Sequence, residues 1–205
     1  MTEITQPPRF ESCLSRFDAA NAEDPRSEFA EGRNWPKELL YGRRMSAMLA
    51  RFAPQAGEAV QLACRAQHIR RWAIPRQDYP MTREGYLSWR TALYRFHAQT
   101  AGEIMREVGY DAAMIEAVGQ IVGKRGLKVN PDTQLLEDVA ALVFLESYMA
   151  GFAEEKADYS EEKWLGIIGK TWKKMSEAGR VFALSGQIAL PQALLPLIQK
   201  AIQAG

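Results

Sequence analysis

Histidine is scarce in this chain: His68 and His97 are the only two in 205 residues. Imidazole is the side chain whose proton or lone pair is usable near neutral pH, so histidine-based chemistry has to involve one or both. Cysteine is equally scarce. Cys13 and Cys64 stand far apart and form no Cys-x-x-Cys pair, which excludes a disulfide framework and fits a reducing cytosol. Long apolar runs are missing too. The longest, VAALVFL at 139–145, is far too short to span a bilayer. The opening MTEITQPPRF is polar and acidic where a signal peptide needs a basic and then an apolar stretch. The expectation is a soluble, cytoplasmic protein with no membrane partner.

Two further absences narrow the fold. No segment alternates with period two, and β-branched residues are thinly scattered, so strands have little support. Glycine-rich phosphate loops are also lacking. GIIGKT at 166–171 carries the letters GKT but not the first glycine at the required spacing, and it falls inside a helical pattern.

What is present is helical periodicity in a composition, 47% apolar and 25% charged, that can bury a full core. Phe10, Leu14 and Phe17 mark a first short helix that NAEDPR ends. Trp35-Pro36 opens a second, striped by Leu39, Leu40, Met45, Met48, Leu49 and Phe52, which Pro54 closes. Residues 56–72 read as a third, broken by Ile74-Pro75. Thr82 caps the longest, which runs to Val108 before Gly109 stops it. Asp111 caps the next, and Asp132 or Thr133 caps the apolar helix through Phe152. Ser160 begins a helix to about Ala178, and Pro191 begins the last. The prediction is one all-α domain over 1–205, a bundle of seven or eight helices. Residues 1–8 form a tail and 179–205 a C-terminal helical appendage.

Charge is unevenly distributed. Arg65 to Arg106 holds eight arginines against three acids, and Asp132 to Glu162 holds nine acids against one lysine. Such polarity suits either a basic pocket facing an acidic flank or two solvated faces of opposite sign. His97 shares a helical face with Leu93, Ala101 and Ile104 and points inward, with Arg90 a further turn back. His68 lies at a boundary among Arg65, Arg70, Arg71 and Arg76. Planar guanidinium forks suit phosphate or carboxylate, although pairing with acids elsewhere is the alternative for each. GKRGLKVNP adds Lys124 and Arg125 to the candidate anion site. On LLEDVAALVFLES, Glu137 and Asp138 favour the positive helix end. Glu146 sits among apolar residues and needs a partner, a proton or a metal. Asp138 and Glu146 are separated by roughly 12 Å of helix rise, so they take separate roles. Two histidines and one carboxylate could hold a divalent ion that activates water against a phosphate ester, or these groups could simply pair with arginines.

ELLYGRRMSAMLARFAP, LACRAQHIRRWAIPRQDYPMTREGYLSWRTALYRFHA, LLEDVAALVFLESY and KTWKKMSEAG resemble a bacterial domain-of-unknown-function family, number 4202, over nearly the whole chain. More distantly, the helix order is similar to that of the HD-domain metal-dependent phosphohydrolases. That resemblance implies an HD-like fold and a metal held by histidines and aspartates. Tyr41 stands where the first histidine would fall, and Gln67-His68-Ile69 where His-Asp-Ile would be. His97 resembles an additional histidine, and Asp138 or Glu146 stands near the late aspartate. The resemblance therefore implies either an altered metal set or a site that has lost its metal and kept an anion pocket.

The leading expectation is binding of a nucleotide or other phosphorylated small molecule, with metal-dependent hydrolysis as its enzyme form. In it His68, His97 and Asp138 or Glu146 hold Mn, Mg, Fe or Zn. His68, Asp138 and Arg71 carry the reaction, and Arg65, Arg70, Arg90, Tyr41, Lys124 and Arg125 hold substrate. One alternative is a non-catalytic RNA-binding or adaptor module, with Trp72, Tyr79, Tyr86, Trp89 and Tyr94 among the arginines of 65–106 stacking bases. A third is a homodimer built on the terminal helix 191–203, which an exposed apolar patch there would support.

Overall fold

The computed structural model of the chain describes residues 8–203, and helices dominate it as the periodicity predicts. The body is α1 (Arg9–Ala22), α2 (Lys37–Phe52), α3 (Glu58–Ala66), α4 (Arg83–Glu107), α5 (Ala112–Val122) and α6 (Pro131–Val143). The remainder is α7 (Met149–Glu155), α8 (Glu161–Lys174), α9 (Glu177–Leu184) and α10 (Leu195–Gln203). Residues 1–7, most of the expected tail, lie outside the described residues.

At the centre is α3, short and rich in small side chains. Val60, Leu62, Ala63, Cys64 and Ala66 are all buried on it, and α1, α2, α5 and α6 pack around it. Gly42 permits the closest of these approaches, since a Cβ there would stand 2.9 Å from the Arg65 carbonyl oxygen. Met45, Met48 and Leu49 of α2, Ile121 and Val122 of α5, and Leu136, Val139 and Leu142 of α6 complete the layer around α3. Each large side chain fully removed from water here contributes roughly 1.5–3 kcal/mol. Both cysteines are free and buried in this core.

Several boundaries depart from the sequence reading. Ser27–Ala30 (β1) and Arg33–Pro36 (β2) form an antiparallel hairpin, turned by Glu31 and Gly32 at positive φ. Its partly exposed strands carry no apolar alternation, so the period-two test finds nothing. Trp35 and Pro36 consequently end β2, and α2 starts at Lys37. The third helix stops at Ala66 rather than 72. The chain turns through Arg70 at φ 49° into a 3₁₀ turn over Arg71–Ala73. Thr82, Asp111 and Ser160 cap α4, α5 and α8 as read. In contrast, Asn130 caps α6, accepting from the amides of Asp132 and Thr133. A π-helical turn over Phe144–Tyr148 joins α6 to α7. Extended Met175 splits the expected helix 160–178 in two, and Ser176 caps the second part. Of the expected appendage 179–205, residues 204–205 lie outside the described residues, and Phe182, Ala183, Ile188, Ile198 and Ala201 pack into the same cluster as Phe17 and Leu62.

Candidate functional site

A cavity of about 400 Å³ opens where α2, α4 and α6 meet the turn after α3 and the base of the hairpin. Small-molecule sites span roughly 300–1,000 Å³. Tyr41 of α2, Leu93, Tyr94 and His97 of α4, and Phe144 and Tyr148 of the π turn give it an apolar and aromatic interior. Six cations line it: Arg26, Lys37, Arg71, Arg90, Lys124 and Lys174. Among the described residues only two carboxylates, Glu38 and Glu137, stand with them.

The excess of positive charge is sharper than that count. Glu137 is buried between Lys124, which it pairs with directly, and Lys174 at 3.6 Å. These ammonium groups hold its carboxyl below the usual carboxylate range against the effect of burial. Glu38 accepts from Arg26 at 2.8 Å. Neither Arg71 nor Arg90 has a carboxylate partner among the described residues. Arg71 reaches the His68 ring at 3.3 Å and lies over Trp89. Arg90 donates to the hydroxyls of Tyr86, at 3.1 Å, and Tyr94.

His68 is held on every side. Its ring stacks on Tyr41 with centroids 4.0 Å apart. Nδ1 stands 3.2 Å from a Glu38 carboxylate oxygen. Because a guanidinium can only donate, Arg71 assigns Nε2 as acceptor and puts the ring proton on Nδ1, facing Glu38. Burial and then the adjacent Arg71 push the imidazole well below its ordinary pKa, so it is neutral near pH 7. Burial raises the Glu38 carboxyl, opposed by Arg71 and Arg26.

His97 is different. It is 2% exposed and its Nδ1 lies 2.8 Å from the Ile69 carbonyl, to which it donates. Its Nε2 is buried with no partner among the described residues. Burial, then the neighbouring His68, lowers its pKa to about 3. The two rings are 6.0 Å apart, on one side of the core.

The remaining expected site residues divide cleanly. Tyr41, His68, Arg71, Arg90, His97 and Lys124 meet in the cavity. Arg65, Arg70 and Arg125 lie outside it. Arg65 donates twice to Asp18, at 2.7 and 3.1 Å. Arg70 binds Glu23 at 2.7 Å, and Arg125 faces Glu116 on the surface. The end of α3 at Ala66 causes this split, because the turn that follows sends Arg70 and Arg71 in different directions. Asp138 and Glu146, expected as metal ligands, also lie outside. Asp138 accepts from the Ser176 amide at 2.7 Å, the Ser176 hydroxyl at 2.6 Å and Gln134 at 3.1 Å, tying α6 to the start of α9. Glu146 pairs with Arg51 at 2.8 Å and accepts from the Ala189 amide.

A divalent ion does not fit these residues. Both nitrogens of His68 are engaged, one by a guanidinium that would repel a cation. Among the described residues no group of three or more His, Cys, Asp or Glu side chains is placed to hold a metal. Tyr41 and Gln67, where the resemblance puts two ligands, instead bind one another, the hydroxyl donating to the amide oxygen at 2.7 Å.

The other expected surfaces look different from the cavity. Of the five aromatic rings in 65–106 singled out for stacking bases, only Tyr86 is exposed, and Trp89 is buried with its N–H donated to the Ile74 carbonyl. On α10, Ile198 and Ala201 are buried. The helix packs on α8, and Lys200 pairs with Glu161. No helix among the described residues is long and apolar enough to cross a membrane.

Sequence reasoning passes over Arg26, Lys37, Glu38, Lys174 and Tyr148 as site residues and places Tyr94 only on the alternative base-stacking surface. The first three sit beside the hairpin, whose presence carried no signal. Glu137 was read only for the helix dipole, although its neighbour Asp138 was singled out. One residue of helix is a rotation of about 100°, enough to separate a cavity wall from a helix cap.

No curated protein and no solved structure matches this chain. Residues 11–198 match the family described as Domain of unknown function (DUF4202), in agreement with the resemblance carried by the ELLYGRRM, AQHIRRW and LLEDVAALVFLES segments. The chain belongs to that family.

Proposed function

We propose that the cavity binds a phosphorylated small molecule, a nucleotide being the class that its chemistry suits best. The observation that carries this reading is the pair Arg71 and Arg90, guanidinium groups that line one cavity with no carboxylate in ion-pair contact among the described residues. Guanidinium next to a neutral ring is poorly solvated, and an entering phosphate supplies the missing charge and two acceptors for each planar fork. Lys37 adds charge at the rim, and Lys124 and Lys174 add more once Glu137 shares them with a ligand. The interior rings of Tyr41, Tyr94, Phe144 and Tyr148 suit a flat base or other apolar body. Both histidines stay neutral near pH 7 and add no charge of their own.

The distant likeness to HD-domain phosphohydrolases enters this reading as a helical pocket in which Tyr41 and Gln67 replace metal ligands by a neutral hydrogen-bonded pair. Without a ligand set for the metal, the reading is binding and not metal-dependent turnover. Isothermal titration with AMP, GMP, CMP, UMP and ribose 5-phosphate tests it. Saturable binding by at least one, weakened about tenfold or more in Arg90→Ala, is the expected result. No binding by any of these and by other phosphate esters sinks the proposal.

A further inference from the structure

Four buried side-chain polar atoms have no partner among the described residues: Trp35 Nε1, Arg70 Nε, His97 Nε2 and Tyr148 Oη. Of these residues only His97 and Tyr148 line the cavity. A hydroxyl can rotate to give or take a hydrogen bond, but the role of His97 is fixed. Its Nδ1 proton is committed to the Ile69 carbonyl at 2.8 Å, so in the neutral ring Nε2 is an acceptor only. Among the described residues no donor lies within hydrogen-bond distance of it. The His68 proton faces Glu38 at 3.2 Å, and the other His68 nitrogen already accepts from Arg71. Leu93 on the cavity wall and the Phe96 ring packed against His97 are apolar.

We infer that His97 Nε2 is the specificity-determining acceptor of this cavity, reserved for a hydroxyl or N–H donor on the bound phosphorylated molecule. This inference rests on the proposed binding of a phosphate ester and adds what the rest of that molecule must carry. The arginines hold the anionic end, and the buried acceptor reads a neutral donor at the other. A ligand with a phosphate and an aromatic ring but no donor leaves Nε2 as unsatisfied as the empty cavity does. A nucleotide or phosphosugar satisfies it. Selectivity of this kind is strong because a desolvated acceptor left without a partner penalises the wrong ligand.

His97→Asn separates the two ring atoms: its side-chain amide can keep the bond to Ile69 but cannot reach the Nε2 position. Titrations of wild type and variant at pH 8 would use AMP, ribose 5-phosphate, purine riboside 5′-monophosphate and phenyl phosphate, the last having no donor. The expected result is a loss of about tenfold for AMP in the variant, with phenyl phosphate unchanged. The same loss with ribose 5-phosphate assigns the donor to a sugar hydroxyl. Its absence with purine riboside monophosphate, which lacks the amine, assigns it to the base. Ring ¹⁵N spectra of the wild type give an independent readout, easily assigned with only two histidines in the chain. The unprotonated Nε2 of His97 moves upfield on saturation with AMP and stays in place with phenyl phosphate. Equal losses for AMP and phenyl phosphate, or an Nε2 resonance indifferent to AMP, overturn the inference while leaving phosphate binding intact. Failure of every probe to bind the wild type overturns both.

Discussion

On the outer flank of α3 the arginines are ion-paired with acids, whereas inside the cavity Arg71 and Arg90 form no ion pair among the described residues. Arg65 and Arg43 share Asp18, and Arg70 takes Glu23. Arg70 and Arg71 are adjacent, yet the first ends in an ion pair and the second between His68 and Trp89. The paired flank is structural; its more exposed pairs, Arg43–Asp18 and Arg70–Glu23, are individually worth about 0–1 kcal/mol. The unpaired guanidinium groups do the opposite. They carry a desolvation cost in the folded protein that is offset when an anion enters. Cations concentrated without acids therefore point to a ligand, and the same residue type with acids does not.

The same division runs through the carboxylates, and its strongest test is there. Glu137 and Asp138 are adjacent, but only Glu137 lines the cavity. Asp138 accepts three hydrogen bonds at the start of α9. Asp138→Ala removes the buried acceptor that holds the Ser176 cap and leaves the Ser176 amide unsatisfied, so it should cost about 2–4 kcal/mol of stability in urea unfolding. Affinity for a phosphorylated ligand in the folded fraction should be unchanged. Loss of binding without loss of stability would move Asp138 to the other side of the comparison.

That adjacent pair also shows where the sequence stops being informative. Apolar stripes at helical spacing mark α2, α4, α5, α6 and α8, because burial of one face has to appear in the local pattern. Thr82, Asp111 and Ser160 are readable as caps for a similarly local reason. The end of α3 is not local. No glycine or proline lies between Ala66 and Arg71. The left-handed turn at Arg70 is held by its amide bonding to the Asn21 side chain on α1 at 3.0 Å. The hairpin, with its partly exposed strands, leaves no apolar alternation, so Arg26 and Glu38 could not be placed. The convergence of Tyr41, His68, Arg71 and His97 was legible through the resemblance and the clustered charge. Which acid joins them was not, since that depends on the rotation of α6 against its neighbours.

The next test concerns the neutral histidines. His97 has a pKa of about 3 in the folded protein against 6.5 for the ordinary side chain. Below pH 6.5 the unfolded chain takes up a proton that the folded protein refuses, so stability falls with falling pH. Above pH 6.5 neither state is protonated and the group has no effect. The slope for one such group is about 1.4 kcal/mol per pH unit. Urea unfolding at pH 7, 6 and 5 should show it, and His97→Asn should remove one proton's share. His68, also depressed, retains its own share in that variant. An unchanged slope would place a charged His97 in the fold and weaken the contrast between an acid-poor cavity and its paired flank.

A smaller effect is expected on the flank itself. Arg65 and Asp18 are each mostly buried and joined by two hydrogen bonds. Arg65→Ala should lower stability by about 1 kcal/mol. Arg71→Ala breaks no ion pair but withdraws the charge that lowers the Glu38 carboxyl, so it should change stability by less than Arg65→Ala does.

The most direct measurement sets these two variants side by side against one ligand. AMP is titrated by calorimetry into wild type, Arg65→Ala and Arg71→Ala at the same pH and ionic strength. The expected result is wild-type affinity for Arg65→Ala and a loss on the order of tenfold to hundredfold for Arg71→Ala. Equal affinities for the two variants, given binding to the wild type, would contradict the assignment of the unpaired arginines to a phosphorylated ligand.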